Sequence, residues 1–128
     1  MAVPEFGVGV DIEAISRFKK TDDSFLNKVF TRAELDYCLS QASPAQHLAA
    51  RFAGKEAIIK ALGNLKRAGP DYREIEITND SSGAPSARIL RPGFADLEIK
   101  ISMAHSKSEA VAMAVVTQMP GPNRPLLC

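Results

Sequence analysis

The segment PAQHLAARFAGKEAIIKALG, Pro44 to Gly63, restricts the possible folds more than any other part of the chain. A proline opens it and a glycine closes it, so it reads as one long helix. Leu48, Phe52, Ile59 and Leu62 form an apolar stripe that anchors such a helix in a core. Ala49, Ala53, Glu56 and Lys60 fall on an adjoining stripe, at helical spacings of four, three and four residues. A carboxylate and an ammonium therefore project from one face, and the two alanines before them let another backbone come close. Taken alone, a Glu followed four residues later by Lys is an ordinary exposed pair worth about 0.3 to 0.5 kcal/mol. Its meaning depends on what the rest of the chain places beside it.

The chain has 128 residues, 45% of them hydrophobic, which suits one domain with a small core. Its net charge of +1 gives no global field of the kind that draws a protein to nucleic acid or a membrane, so neither is an expected partner. Any anion site must be local. The two cysteines, Cys38 and Cys128, are too few for a disulfide framework or a cysteine metal site, and point to a reducing compartment. With no apolar run of spanning length and no basic-then-apolar leader, the expected location is the cytoplasm.

Residues 5–12 carry an apolar run with interleaved glycines ending in an acid, which predicts a buried strand that delivers Asp11 at its end. At Gly7 and Gly9 another backbone must pass close by. A short helix is expected from Glu13 to Lys20, with a basic end, and a further helical turn from Asp22 and Asp23 through Val29. Thr31 and Glu34 form a capping box that starts a helix from Arg32 to about Leu39. After the long helix, strands are expected at Tyr72 to Asn79, Ser86 to Leu90, Leu97 to Met103 and Ala110 to Val116, the first two joined by the turn Asp80 to Gly83. The prolines at 120, 122 and 125 predict a disordered tail over residues 119–128, after a domain spanning 1–118. The order describes an α+β domain in which one long helix packs on an antiparallel sheet.

Three short segments carry the chemistry: GVGVDIE, RFAGKEAIIKALG and ISMAHS, in that order, with FTRAEL and IEITNDSSGAP between them. Together these five phrases resemble the 4′-phosphopantetheinyl transferases, and the length is similar to that of the small class, the holo-acyl-carrier-protein synthases. The resemblance runs from about Gly7 to Val116. It implies transfer of phosphopantetheine from coenzyme A, the substrate, to a serine of an apo acyl-carrier protein, with Mg²⁺ as cofactor. It also implies a homotrimer with three sites at subunit interfaces, since each motif occurs once.

The resemblance assigns Asp11 and Glu56 as metal ligands, and Lys60 as a catalytic residue that steadies phosphate or handles a proton. The residue types suit a hard cation bound by a few carboxylates, water and phosphate oxygens. Glu13, two residues beyond Asp11, points the same way if the strand continues and would add a third oxygen; as a helix-start acid it would merely favour the dipole. His105 and Ser106 match the family phrase that contacts coenzyme A, and Gly83 and Pro85 its adenine loop. Arg51 and Lys55, one helical turn apart, together with Lys66 in the following loop, are the cations expected to meet the anionic nucleotide, the alternative being a solvated basic face. His47 has no such context. Arg17, Lys19, Lys20 and Lys28 are the basic residues left to dock an acidic carrier. Asp22 and Asp23 stand where relatives carry more positive charge, and Met103 and Ala104 replace the commoner Ile-Thr before the histidine. A non-catalytic coenzyme A-binding or carrier-docking module and a coenzyme A hydrolase are the rival readings.

Overall fold

The computed structural model describes residues 4–120. The element order is β1 (Glu5–Ala14), a 3-10 turn (Ile15–Phe18), α1 (Asp23–Val29), α2 (Arg32–Leu39), α3 (Pro44–Asn64), a 3-10 turn (Tyr72–Glu74), β2 (Ile75–Asn79), β3 (Pro85–Ile89), β4 (Leu97–His105) and β5 (Glu109–Gln118). β1, β5 and β4 make an antiparallel sheet in that spatial order, and β2 and β3 form a separate hairpin. The α+β class and the long helix on an antiparallel sheet are as expected. The proposed tail falls outside the described residues from 121 onward.

β1 shows why the sheet takes α3 on one side. Residues alternate across a strand, so Gly7, Gly9, Asp11 and Glu13 face α3 while Phe6, Val8, Val10 and Ile12 face away and are exposed. The glycines admit the helix backbone: a Cβ on Gly9 would lie 1.8 Å from the Ala57 carbonyl oxygen, and one on Gly7 2.1 Å from that of Ala61. The close approach read from the glycines is therefore met by Ala57 and Ala61, each one residue beyond Glu56 and Lys60 of the charged stripe. The side-chain amide oxygen of Asn64 accepts a hydrogen bond from the Val8 N–H at 2.9 Å, and Lys60 Nζ donates to the Val10 carbonyl at 3.0 Å. These two bonds tie the helix along the strand.

α3 is buried on most of its circumference, because β1 and β5 cover one side and α2, β2 and β4 others. Two apolar clusters share it. Phe18, Leu26, Phe30, Leu48 and Phe52 pack at its first half, and Ile58, Leu62, Ile75, Ile77 and Val116 at its second. At α2 both capping-box bonds form, Glu34 N–H to Thr31 Oγ1 at 3.3 Å and Thr31 N–H to Glu34 Oε1 at 2.8 Å.

Two local expectations are corrected. Glu13 does not start a helix: β5 extends far enough to pair Glu13 with Ala110 and Ala14 with Glu109, so the strand continues and only one 3-10 turn follows. Tyr72 to Glu74 are not strand, because Glu74 Oε1 accepts from the Asp71 N–H at 2.8 Å and closes the backbone into a turn before β2.

Candidate active site

Continuation of β1 decides the chemistry of its end. Asp11 and Glu13 lie on the same side of the strand, toward α3, and Glu56 and Lys60 come from α3 itself. Lys60 Nζ sits 3.1 Å from Asp11 Oδ1, with Lys60 half exposed and Asp11 largely covered. The other Asp11 oxygen, Oδ2, is buried without a hydrogen-bond partner. Glu13 is held on its far side by Arg17 at 3.0 Å. Its carboxyl is pushed up to about 7, first by burial and then by the facing Asp11 carboxylate, against which Arg17 pulls. The two acids on this strand face thus each hold one cation, Lys60 for Asp11 and Arg17 for Glu13.

Glu56, half-buried one helical turn before Lys60, accepts a hydrogen bond on Oε1 from the Tyr72 hydroxyl. That hydroxyl is pushed up to about 12, chiefly by this bond and then by burial and the charges of Glu56 and Glu13, so it remains a donor at neutral pH.

These residues suit a hard divalent cation. An unpartnered, buried Asp11 oxygen is what a site shows when its positive charge must come from outside. Among the described residues no three acid, histidine or cysteine side chains make a ready cage. A cation that takes one or two carboxylates and completes its shell with water and phosphate oxygens, as Mg²⁺ does, needs no such cage.

A second group lies at the first half of α3. Arg51, Gly83, Pro85 and His105 line one cavity of about 180 Å³, together with Tyr37 and His47. Arg51 is 3% exposed, stacks its guanidinium 4.5 Å above the Tyr37 ring, and leaves Nε buried without a partner. His47 meets Tyr37 edge to face, and its pKa is lowered by burial first and then by Arg51 and His105. His105 ends β4, and Ser106 Oγ accepts from the N–H groups of Ser108 and Glu109 to shape the turn into β5. The cavity joins cation, aromatic ring and exposed backbone turn, which is chemistry for a nucleotide.

Not every expected contact joins these groups. Lys55 belongs to neither the nucleotide face nor a solvated one: its side chain is fully buried, 2.7 Å from Glu34, and it donates to the carbonyls of Tyr72 and Ile75. Lys66 is exposed in a left-handed conformation, φ 59°, past the far end of α3, roughly 20 Å of helix from Arg51. Arg17 lies 5.0 Å from the centre of the Phe52 ring as well as against Glu13, while Lys19, Lys20 and Lys28 are exposed. Asp22 caps α1 by accepting from the Phe25 N–H at 2.8 Å.

Tyr72 and His47 are the site residues that sequence reasoning passed over. Tyr72 was hidden in an alternating run that made it look like the start of a strand. His47 lies outside the motif phrases, and only its place on α3, four residues before Arg51, hints at the cavity.

The chain is similar to known proteins over most of its length. The family model of the 4′-phosphopantetheinyl transferase superfamily matches residues 7–116. A holo-[acyl-carrier-protein] synthase of Thermodesulfovibrio yellowstonii is 50% identical over 115 residues, covering 87% of this chain and 97% of the relative. That of Protochlamydia amoebophila is 44% identical over 116 residues, covering 85% and 95%. Among solved structures, the holo-(acyl-carrier-protein) synthase of Bacillus anthracis in complex with CoA (3′,5′-ADP) superposes with a TM-score of 0.74 at 30% identity, covering 88% of this chain and 96% of the other.

Proposed function

The chain belongs to the 4′-phosphopantetheinyl transferase superfamily, and from that premise we infer that it is a holo-[acyl-carrier-protein] synthase. It transfers the 4′-phosphopantetheine group of coenzyme A to a serine of an apo acyl-carrier protein, giving holo carrier protein and adenosine 3′,5′-bisphosphate. The observation that carries this reading is the contact of Asp11 on β1 with Lys60 on α3, one helical turn beyond Glu56, within a family match over residues 7–116.

In the reaction the serine oxygen of the carrier attacks the phosphorus nearer the pantetheine. The bond from that phosphorus to the bridging oxygen breaks, the bisphosphate leaves with the electron pair, and the serine proton passes to a base at the cluster. Mg²⁺, when bound, supplies neutralisation of charge on the pyrophosphate. Asp11 and Glu56 are the residues that would hold it, with Glu13 as a further acidic partner. Lys60, restrained by Asp11 and the Val10 carbonyl, is placed to meet a phosphate oxygen. Arg51, Gly83, Pro85, His105 and Ser106 receive the nucleotide end of coenzyme A. Lys19, Lys20 and Lys28, with the exposed half of Arg17, present positive charge to an acidic carrier.

The protein works as a homotrimer in this reading. β1 is a ten-residue edge strand whose outer face shows Phe6, Val8, Val10 and Ile12, continued on β5 by Met113. An exposed apolar face on a long edge strand calls for a protein partner. A second copy also explains why the acid cluster and the nucleotide cavity form separate groups in one chain, because a site at a subunit boundary draws one from each. The enzyme acts where coenzyme A and apo carrier protein coexist, in the cytoplasm.

The test is intact-mass spectrometry of an apo carrier incubated with this protein, coenzyme A and Mg²⁺. A gain of one phosphopantetheine, abolished by chelator and by Glu56→Gln, is the expected result. Tight coenzyme A binding with no transfer to several carriers would replace the reading with a binding module, and cleavage of coenzyme A without transfer would replace it with a hydrolase.

A further inference from the structure

Two successive residues of α3 grip Tyr72 from different directions. Lys55 Nζ donates to the Tyr72 backbone carbonyl at 2.8 Å, and Glu56 Oε1 receives the Tyr72 hydroxyl. Between these points the ring rests on Phe52, with centroids 5.3 Å apart and planes at 40°. The turn that carries Tyr72 is closed by Asp71 and Glu74, and Lys55 is itself fixed by its buried pair with Glu34. Backbone, ring and hydroxyl are therefore all held before any ligand arrives.

From this geometry we propose that Tyr72 is a positioning residue for the transfer: its hydroxyl fixes the Glu56 carboxylate by one oxygen and leaves the other for the divalent cation. The inference rests on the metal reading given above and adds a residue to it. A ring that served packing alone would need no hydroxyl, and phenylalanine would fill the same place against Phe52. A carboxylate on a helix side chain has several rotamers of similar energy, and a donor that selects one of them lowers the cost of ordering it when the cation binds. Outer partners of metal ligands characteristically change metal affinity or activity by about 10- to 100-fold when removed.

Tyr72→Phe keeps the ring and deletes the donor. Binding of Mn²⁺ in the presence of coenzyme A, followed by the electron paramagnetic resonance signal of the free ion, should weaken by about 10- to 100-fold. KM for coenzyme A at saturating metal should stay within about twofold, since the nucleotide cavity contains neither Tyr72 nor Glu56. In a Glu56→Gln background the same substitution should cause no further loss of Mn²⁺ affinity. Unchanged Mn²⁺ affinity in Tyr72→Phe, or an equal loss on top of Glu56→Gln, overturns the proposal in favour of a packing role. If the wild-type protein binds no Mn²⁺ and transfers in the presence of chelator, the metal reading itself falls and this inference with it. Should Tyr72→Phe fail to fold, Tyr72→Met also lacks the donor and is read in the same way.

Discussion

The Lys55 ammonium and the Glu34 carboxylate meet at 2.7 Å with both side chains wholly buried, joining α3 to the first turn of α2. Glu34 also accepts from the N–H groups of Thr31 and Ile77, both at 2.8 Å, and Lys55 from its side reaches the carbonyls of Tyr72 and Ile75. Removing one member of a buried pair strands the other charge, which costs about 3 to 5 kcal/mol. Lys55→Met should therefore lower stability by about that amount in urea unfolding, while KM for coenzyme A in the folded fraction stays near that of the wild type. A raised KM at unchanged stability would return Lys55 to the nucleotide site.

Gly9 tests the approach of β1 to α3. A methyl group there would sit 1.8 Å from the Ala57 carbonyl oxygen and 2.9 Å from the Ala61 nitrogen, and both are helix backbone that cannot swing aside. Overpacking of this kind costs about 1 to 3 kcal/mol or more. Gly9→Ala is expected to lower the melting temperature. In the protein that remains folded, activity should fall further than stability does, because Asp11 rides on the same strand. Gly63→Ala, with open space around it, is the control that leaves both unchanged.

What the sequence made legible here was local and periodic: the ends of α3, the capping box at Thr31 and Glu34, the glycines of β1, and the acid at the end of that strand. What it hid depended on partners far along the chain. The one-turn spacing pairs Lys55 with Arg51 as cations for the nucleotide, yet Leu48, Phe52, Lys55, Ile59 and Leu62 continue one spacing of four and three, so Lys55 interrupts the apolar stripe itself. A lysine in such a place needs a buried acid, and Glu34, already satisfied locally as a capping residue, gave no sign that it was also the distant partner. Likewise nothing local in Tyr72 showed that a helix sixteen residues earlier held its hydroxyl. Asp11 and Glu56 stood out because they lie in motif phrases, whereas the depth of Arg51 followed only from the packing of α2 and Tyr37 over it.

Cys38 is fully buried, and burial foremost pushes its thiol up to about 11; Arg51 and Lys55 pull the other way and Glu34 adds to the rise. The thiolate is the reactive form, so at pH 8 the native protein should hold Cys38 unreactive. In a Cys128→Ser background, alkylation by iodoacetamide is expected to be negligible in buffer and complete in urea. Fast labelling of the folded protein at pH 8 would show that α2 opens readily from α3.

The outer face of β1 is expected to hold the oligomer. Val10 is 58% exposed and lies across from Met113, itself exposed on β5. Val10→Glu puts a charge in the middle of that apolar face, where association would have to desolvate it. Sedimentation should show trimers for the wild type and monomers for the variant, with transfer lost while far-ultraviolet circular dichroism is kept. A monomeric variant of full activity would place the whole site within one chain.

Arg51 is the cation whose surroundings most resemble a waiting anion site, since its guanidinium is fixed by Tyr37 and Nε remains without a partner in a cavity shared with His47 and His105. The planar fork can give two parallel bonds to a phosphate, and a lysine cannot copy either that geometry or the stacking on a ring. One charge-assisted hydrogen bond is worth about 1.5 to 3 kcal/mol, so Arg51→Lys should raise KM for coenzyme A by about 10- to 100-fold with kcat changed much less. The same substitution should weaken adenosine 3′,5′-bisphosphate as a product inhibitor by a similar factor, because the shared nucleotide end is what the cavity would hold. Free phosphopantetheine, which lacks that end, should bind wild type and variant alike. Equal losses for all three molecules would mean that the lysine had disturbed the fold around Tyr37 instead of removing a phosphate contact.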